Sequence, residues 1–123
     1  MKYFAETHEW HEESSGIVTI GISRFAIDEL TDITYLEFTV EVGDVIEASQ
    51  PFAEIESVKA TNEVYSGVAG EVVELNQSLL DDVEMINKDS ECKAWLCKIK
   101  ISHDGIANLP NLVPEDDYRK NHS

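Results

Sequence analysis

The chain has 123 residues and a formal net charge of −16, from 25 Asp and Glu against 9 Lys and Arg. That length suits one domain, which hides ~65% of the surface its unfolded chain exposes, so a core is expected without disulfides or metal. The acidic surface repels phosphate backbones and anionic lipid, which argues against nucleic-acid and membrane partners and for partners with basic docking surfaces, held less tightly as salt rises.

No apolar run reaches the roughly 18 residues of a membrane span. The N-terminal "MKYFAETHEWHEE" has neither the apolar stretch of a secretory signal nor the basic, acid-poor character of a transit peptide. The expectation is a cytoplasmic protein if bacterial, or a mature mitochondrial matrix form if eukaryotic. His8 and His11 stand close to Glu9, Glu12 and Glu13, but without a further ligand set they give no metal signature. There is no nucleophile elbow, P-loop or dinucleotide fingerprint, so an enzyme is not expected.

In chain order, "GIVTIGI" (Gly16 to Ile22) reads as the first strand, after a polar turn at Ser14 and Ser15. "SRFAIDEL" follows as a short helix, with Ser23 as its N-cap and Ala26, Ile27 and Leu30 as its apolar stripe. Then come strand-like runs: "ITYLEF" (Ile33 to Phe38), "VIEA" (Val45 to Ala48), "PFAEIESV" (Pro51 to Val58), "TNEVYS" (Thr61 to Ser66) and "EVVEL" (Glu71 to Leu75). "QSLLDDVEMIN" fits a helical turn or a compact loop. "WLCKIKI" (Trp95 to Ile101) closes the strand series, with Cys97 as a small buried hydrophobe and Cys92 as a loop thiol. "VPEDDYRKNHS" places Pro114 at a first helical position, followed by acids and then Arg and Lys, in keeping with a helix dipole. Many short strands of close spacing predict a mainly β barrel or sandwich with one short helix in the N-terminal half and another at the C-terminus.

An internal echo refines this picture. Gly43-Asp44-Val45-Ile46-Glu47 is repeated in type by Gly70-Glu71-Val72-Val73-Glu74. Both glycines are expected at positive φ where the chain reverses. The echo brackets Lys59, which predicts two quasi-twofold halves with Lys59 at the tip of a connecting hairpin. Lys59 is the only Lys or Arg between Arg24 and Lys88, against fifteen Asp and Glu. A surface ion pair with Glu56 or Glu63 contributes at most ~1 kcal/mol, so stability explains this lysine poorly.

The segment "ESVKA" (Glu56 to Ala60) followed by "SGVAGEVVELN" (Ser66 to Asn76) resembles the lipoylation segment of the glycine cleavage system H protein family. "HEW" (His8 to Trp10), "TIGIS" (Thr19 to Ser23), "VGD" (Val42 to Asp44) and "WLCKIK" (Trp95 to Lys100) follow in the family's order and approximate spacing. The resemblance covers most of Lys2 to Ile101. Val58 and Ala60 beside the lysine differ from the methionines of biotin carriers, and the Asp usual before the lysine in 2-oxo acid dehydrogenase lipoyl domains is absent. The chain also departs from the family pattern. Thr31, Ser49 and Ala53 stand where glycine is usual, and Thr39, Val40 and Glu41 stand near a usual Pro-Glu.

The resemblance implies a lipoyl/biotinyl-like flattened β-barrel or sandwich, forming a single lipoyl-carrier domain over residues 1–123 with a peripheral tail at 110–123. It implies a carrier, with Lys59 holding lipoic acid through an amide, and with Glu9 and Ser66 as candidates to line a cleft for the arm. The implied partners are glycine decarboxylase (P protein), aminomethyltransferase (T protein), dihydrolipoyl dehydrogenase (L protein) and a lipoate ligase or lipoyl/octanoyl transferase. In this role a monomer shuttles the aminomethyl intermediate from the first partner to the second and the dithiol to the third. The alternative is a lipoyl relay or specialised redox carrier that does not act in glycine cleavage. An unmodified binding module is the third class.

Overall fold

The computed structural model describes the chain except at positions 1, 6, 31, 59, 92, 102–111 and 123, with residues 119–122 described by backbone alone. In chain order it forms β1 (Lys2–Ala5), β2 (Glu9–Ser14), β3 (Ile17–Ile22), α1 (Arg24–Leu30), β4 (Ile33–Phe38), β5 (Val45–Ile46), β6 (Pro51–Ser57), β7 (Thr61–Tyr65) and β8 (Gly70–Leu75). A 3-10 turn at Gln77–Asp81, α2 (Glu84–Asp89), β9 (Cys97–Lys100), β10 (Leu112–Pro114) and α3 (Glu115–His122) complete it.

Two antiparallel sheets form, not closed into a barrel. One has the strand order β10-β1-β2-β3-β9-β8-β5 and the other β4-β6-β7. Alternation along the strands sends Val18, Ile20, Val72, Cys97 and Ile99 from the large sheet into contact with Leu36, Phe52, Ile55 and Val64 of the small one. Each large apolar side chain buried this way contributes about 1.5–3 kcal/mol. α1 starts where expected, because Ser23 Oγ accepts the Ala26 N–H at 3.2 Å and Ile27 turns inward at 2% exposure. The ambiguous stretch after β8 becomes the 3-10 turn and α2, which bury Leu79 and Ile86.

The echoed segments turn out to be neighbours. β5 and β8 pair antiparallel, Val45 opposite Glu71 and Ile46 opposite Gly70, at the edge of the large sheet. The hairpin between them, β6 and β7, belongs to the small sheet. The sheets that hold these four strands have seven and three strands. Gly43 takes the expected positive φ, at 100°, but Gly70 does not. Gly70 is needed for closeness instead: a Cβ there would lie 2.3 Å from the Lys100 backbone oxygen of β9. Ser49, where glycine is usual, keeps the left-handed turn with φ 69°, and its N–H donates to Ser66 O at 2.6 Å.

Three strands went unread in the sequence. β1 pairs with β2 and with β10, so the first and last strands of the chain lie side by side. Pro114 is the last residue of β10, opposite Tyr3, and not the first of α3. With no N–H to donate, proline suits an edge strand. The C-terminal segment thus lies at the sheet's outer edge, yet α3 sends Tyr118 into a small cluster with Phe4 and Trp10.

Candidate functional site

Beyond a register shift between Pro51 and Ala53, β6 and β7 run as a regular ladder from Ala53 opposite Val64 to Glu56 opposite Thr61, and end in a tight tip. Ser57 N–H donates to Ala60 O at 2.8 Å, and Ala60 N–H donates to Ser57 Oγ at 3.2 Å. Two positions, Val58 and Lys59, span the gap. Val58 is 67% exposed, so the tip stands in solvent. Lys59 itself, like Cys92, lies outside the described residues. The closing hydrogen bonds come from its neighbours. On the other side of β6, Ile33 of β4 pairs with Ser57, which braces the base of the tip.

A cleft of about 360 Å³ opens between α1 and the β6–β7 hairpin. Ile55 and Asn62, one cross-strand pair, line its near side. That pair is two rungs below Ser57 and Ala60, about 7 Å along the strands. Ile22, Phe25, Ala26, Leu30 and Val64 make the cleft mostly apolar. Its polar groups are Asn62 together with Thr7, His8, Glu9, Glu29 and Glu63.

Glu9 is placed by the register of β2 and is only 3% exposed. Its Oε2 accepts the Tyr65 N–H of β7 at 2.9 Å, and its Oε1 accepts the Thr7 hydroxyl. Burial pushes its carboxyl above the usual glutamate range, against the pull of those two donors. Its own backbone N–H also acts on the carboxylate, which leaves about one of its roughly four lone-pair sites for a further donor. An acid in this setting differs from the many solvated acids of the surface.

Ser66 is at the opposite end of β7 from the tip and is not among the residues around this cleft. It is fully buried, with its hydroxyl donating to Val68 O at 2.5 Å and accepting the Val68 N–H at 3.1 Å. The structure therefore brings Glu9 to the cleft and leaves Ser66 holding a turn. Trp10 is 2% exposed and donates its indole N–H to Ser90 O at 2.8 Å. His11 is fully buried, with Nε2 accepting the Gly67 N–H at 2.9 Å. No group of three or more His, Cys, Asp or Glu placed to hold a metal ion occurs among the described residues.

Sequence reading missed Thr7, His8, Phe25, Glu29 and Glu63 as cleft residues. Thr7 precedes the recognisable "HEW" and His8 opens it, and Glu63 follows Lys59 by four positions on the next strand. Those were the available signals.

An exposed hairpin tip beside an apolar cleft with a buried acid suits a tethered, swinging group, and comparison with known proteins agrees. The chain matches the family described as "Glycine cleavage H-protein" over residues 2–123. It is 38% identical over 120 residues to the glycine cleavage system H protein of Thermotoga maritima, covering 98% of this chain and 94% of the relative. It is 41% identical over 119 residues to that of Prochlorococcus marinus, covering 97% and 89%. A crystal structure of a glycine cleavage system H protein from Mycobacterium marinum shares the fold, with a TM-score of 0.86 at 24% identity over 98% of this chain and 94% of that one. On its sequence and over nearly its whole length, this chain belongs to the glycine cleavage H-protein family.

Proposed function

We propose that this chain is the lipoyl carrier of a glycine cleavage system, with lipoic acid joined to Lys59 as an amide. The family assignment supports a carrier in place of an enzyme, working with the other enzymes of that system. The observation that carries the reading is the tip and cleft together. A ligase needs an amine on a stiff, exposed turn, and the Ser57–Ala60 closure offers such a turn. The cleft begins two rungs below, within reach of a lysine side chain extended by a long acyl chain.

The residues present fit such an arm. Ile22, Phe25, Leu30, Ile55 and Val64 offer an apolar wall to the acyl chain and exclude water from it. Glu9 is placed to accept from an amine carried at the arm's end, with Glu29 and Glu63 also lining the cleft. Neutralising the lysine by acylation leaves an uncharged arm on an acidic body. The lipoyl group, when attached, supplies a dithiolane that takes up and gives back the carried carbon and electrons; position and shielding are this chain's share.

The specific partners in this reading are glycine decarboxylase, aminomethyltransferase and dihydrolipoyl dehydrogenase, with a lipoate ligase or lipoyl/octanoyl transferase for attachment. All meet a strongly acidic monomer, so their association should weaken with salt. The compartment is the cytoplasm in a bacterium and the mitochondrial matrix in a eukaryote. The whole of 1–123 acts as one carrier domain.

The test is intact mass after co-expression with a lipoate ligase. The wild-type chain should gain one lipoyl increment and Lys59→Arg none, with unchanged melting, because the hydrogen bonds closing the tip come from Ser57 and Ala60. A lipoyl increment retained in Lys59→Arg would reject the assignment.

A further inference from the structure

His8 lines the cleft and takes a left-handed backbone conformation, φ 76°, which few residues other than glycine adopt. Backbone hydrogen bonds hold it from both sides: His8 N–H donates to Ala5 O and Ser23 N–H donates to His8 O, each at 2.9 Å. Its Nδ1 lies 2.9 Å from the hydroxyl of Tyr118, which in turn lies 2.9 Å from Ser23 Oγ. Tyr118 arrives from α3, is 2% exposed, and stacks on Phe4 with ring centroids 4.1 Å apart. Phe25, another cleft residue, leans on the His8 ring at 4.9 Å.

The chain of hydroxyls has a direction. Ser23 Oγ already accepts the Ala26 N–H as the cap of α1. Ser23 is fully buried, so its own proton needs an acceptor, and Tyr118 Oη is the one within reach among the described residues. That leaves the Tyr118 hydroxyl, 2.9 Å from His8 Nδ1, able to donate to the imidazole. Donation from Tyr118 to Nδ1 requires the tautomer that carries its proton on Nε2.

We propose that Tyr118 is a positioning residue for the cleft: the C-terminal helix fixes the His8 ring in one orientation and one tautomer, and that sets how the arm seats. Stacking on Phe4 would suffice to dock α3. The hydroxyl does something more, because it ends on a cleft residue whose backbone is held in a strained conformation, and such strain gathers at functional sites. The inference deepens the carrier reading and rests on it.

The test uses the full chain, with and without lipoyl, in wild type, Tyr118→Phe, His8→Asn and the double variant. Phe keeps the stack and removes the hydroxyl; Asn tolerates positive φ. Ring 15N spectra, assigned through His8→Asn, should show one tautomer with the proton on Nε2 in wild type and a mixture in Tyr118→Phe. The lifetime of the aminomethyl-loaded arm, followed by intact mass, should fall about three- to tenfold in Tyr118→Phe, as expected for one lost hydrogen bond. In the His8→Asn background, Tyr118→Phe should change that lifetime no further. An unaltered His8 tautomer in Tyr118→Phe, or additive effects in the double variant, would overturn the proposal. A wild-type chain that takes no lipoyl group overturns the carrier reading and the arm-seating part with it, while the ring spectra still decide whether Tyr118 governs His8.

Discussion

Glu9 offers a test in which stability and carrier function separate. Its carboxylate accepts the Tyr65 N–H at 2.9 Å and the Thr7 hydroxyl. Glu9→Ala leaves the half-buried Tyr65 N–H without its partner, a loss of about 1–3 kcal/mol. Thr7 is exposed and turns to water, so it adds little. A total near 2 kcal/mol lowers the melting temperature of a domain this size by roughly 8 °C. Glu9→Gln keeps an oxygen for Tyr65 and sheds the cost of a buried charge, so it should stay within about 1 kcal/mol of wild type. The pH dependence has a definite sign. Burial raises the folded-state pKa of Glu9, so its proton-linked stability is present below the ordinary glutamate value and lost as pH rises through the raised one. Wild type should therefore lose ground to Glu9→Gln as pH increases across that window, measured by urea unfolding at several pH values. Both variants should shorten the lifetime of the loaded arm, since both remove the anion. If Ala proves as mild as Gln in unfolding, the Tyr65 bond is not holding β7 to β2 and the reasoning fails.

Ser49→Gly should raise stability by about 1 kcal/mol, since φ 69° is strained for serine and free for glycine; a melting curve checks it. Burial holds the His11 imidazole down at about 4, against the opposing backbone groups of Tyr3 and Glu9. Because that value is depressed, its stabilising effect is present above the unfolded-state value and lost as pH falls toward 4, by about 3 kcal/mol in all. Chemical denaturation between pH 7 and 4 should show the loss in wild type and a flatter profile in His11→Gln, as differences at matched pH. Burial also pushes the Cys97 thiol up to about 12. In a Cys92→Ser background, thiol labelling of Cys97 should follow global unfolding and not a fast native-state reaction.

The parts of the fold that were legible are those whose burial follows period two with apolar residues. β4 matches its expected run residue for residue, and β3, β6, β7 and β8 lie within one residue at either end. β2 escaped because two of its three buried residues are Glu9 and His11, so its inward face reads as polar. β1 and β10 escaped because each is short, and β10 finds its partner across nearly the whole chain. Gly70 shows a further limit. Sequence gives the glycine, but only the approach of the Lys100 carbonyl tells whether positive φ or closeness demanded it. At the site, Lys59 stood out by its charge against an acidic background, and Glu9 by the motif around it. His8, Glu29 and Glu63 did not, because the cleft unites α1, β7 and the turn before β2, and no local pattern records that meeting.

The large sheet is stitched from both ends of the polypeptide: β3 sits beside β9, and β1 beside β10. During synthesis, then, its centre cannot close until residues near 100 have left the ribosome, and its rim waits for the final dozen. The small sheet is local in sequence, spanning 33–65, but its inward side has no cover before that moment. The hairpin therefore gains its apolar backing only after most of the chain has emerged, and a product cut short of β9 would leave the small sheet's inward side open to water.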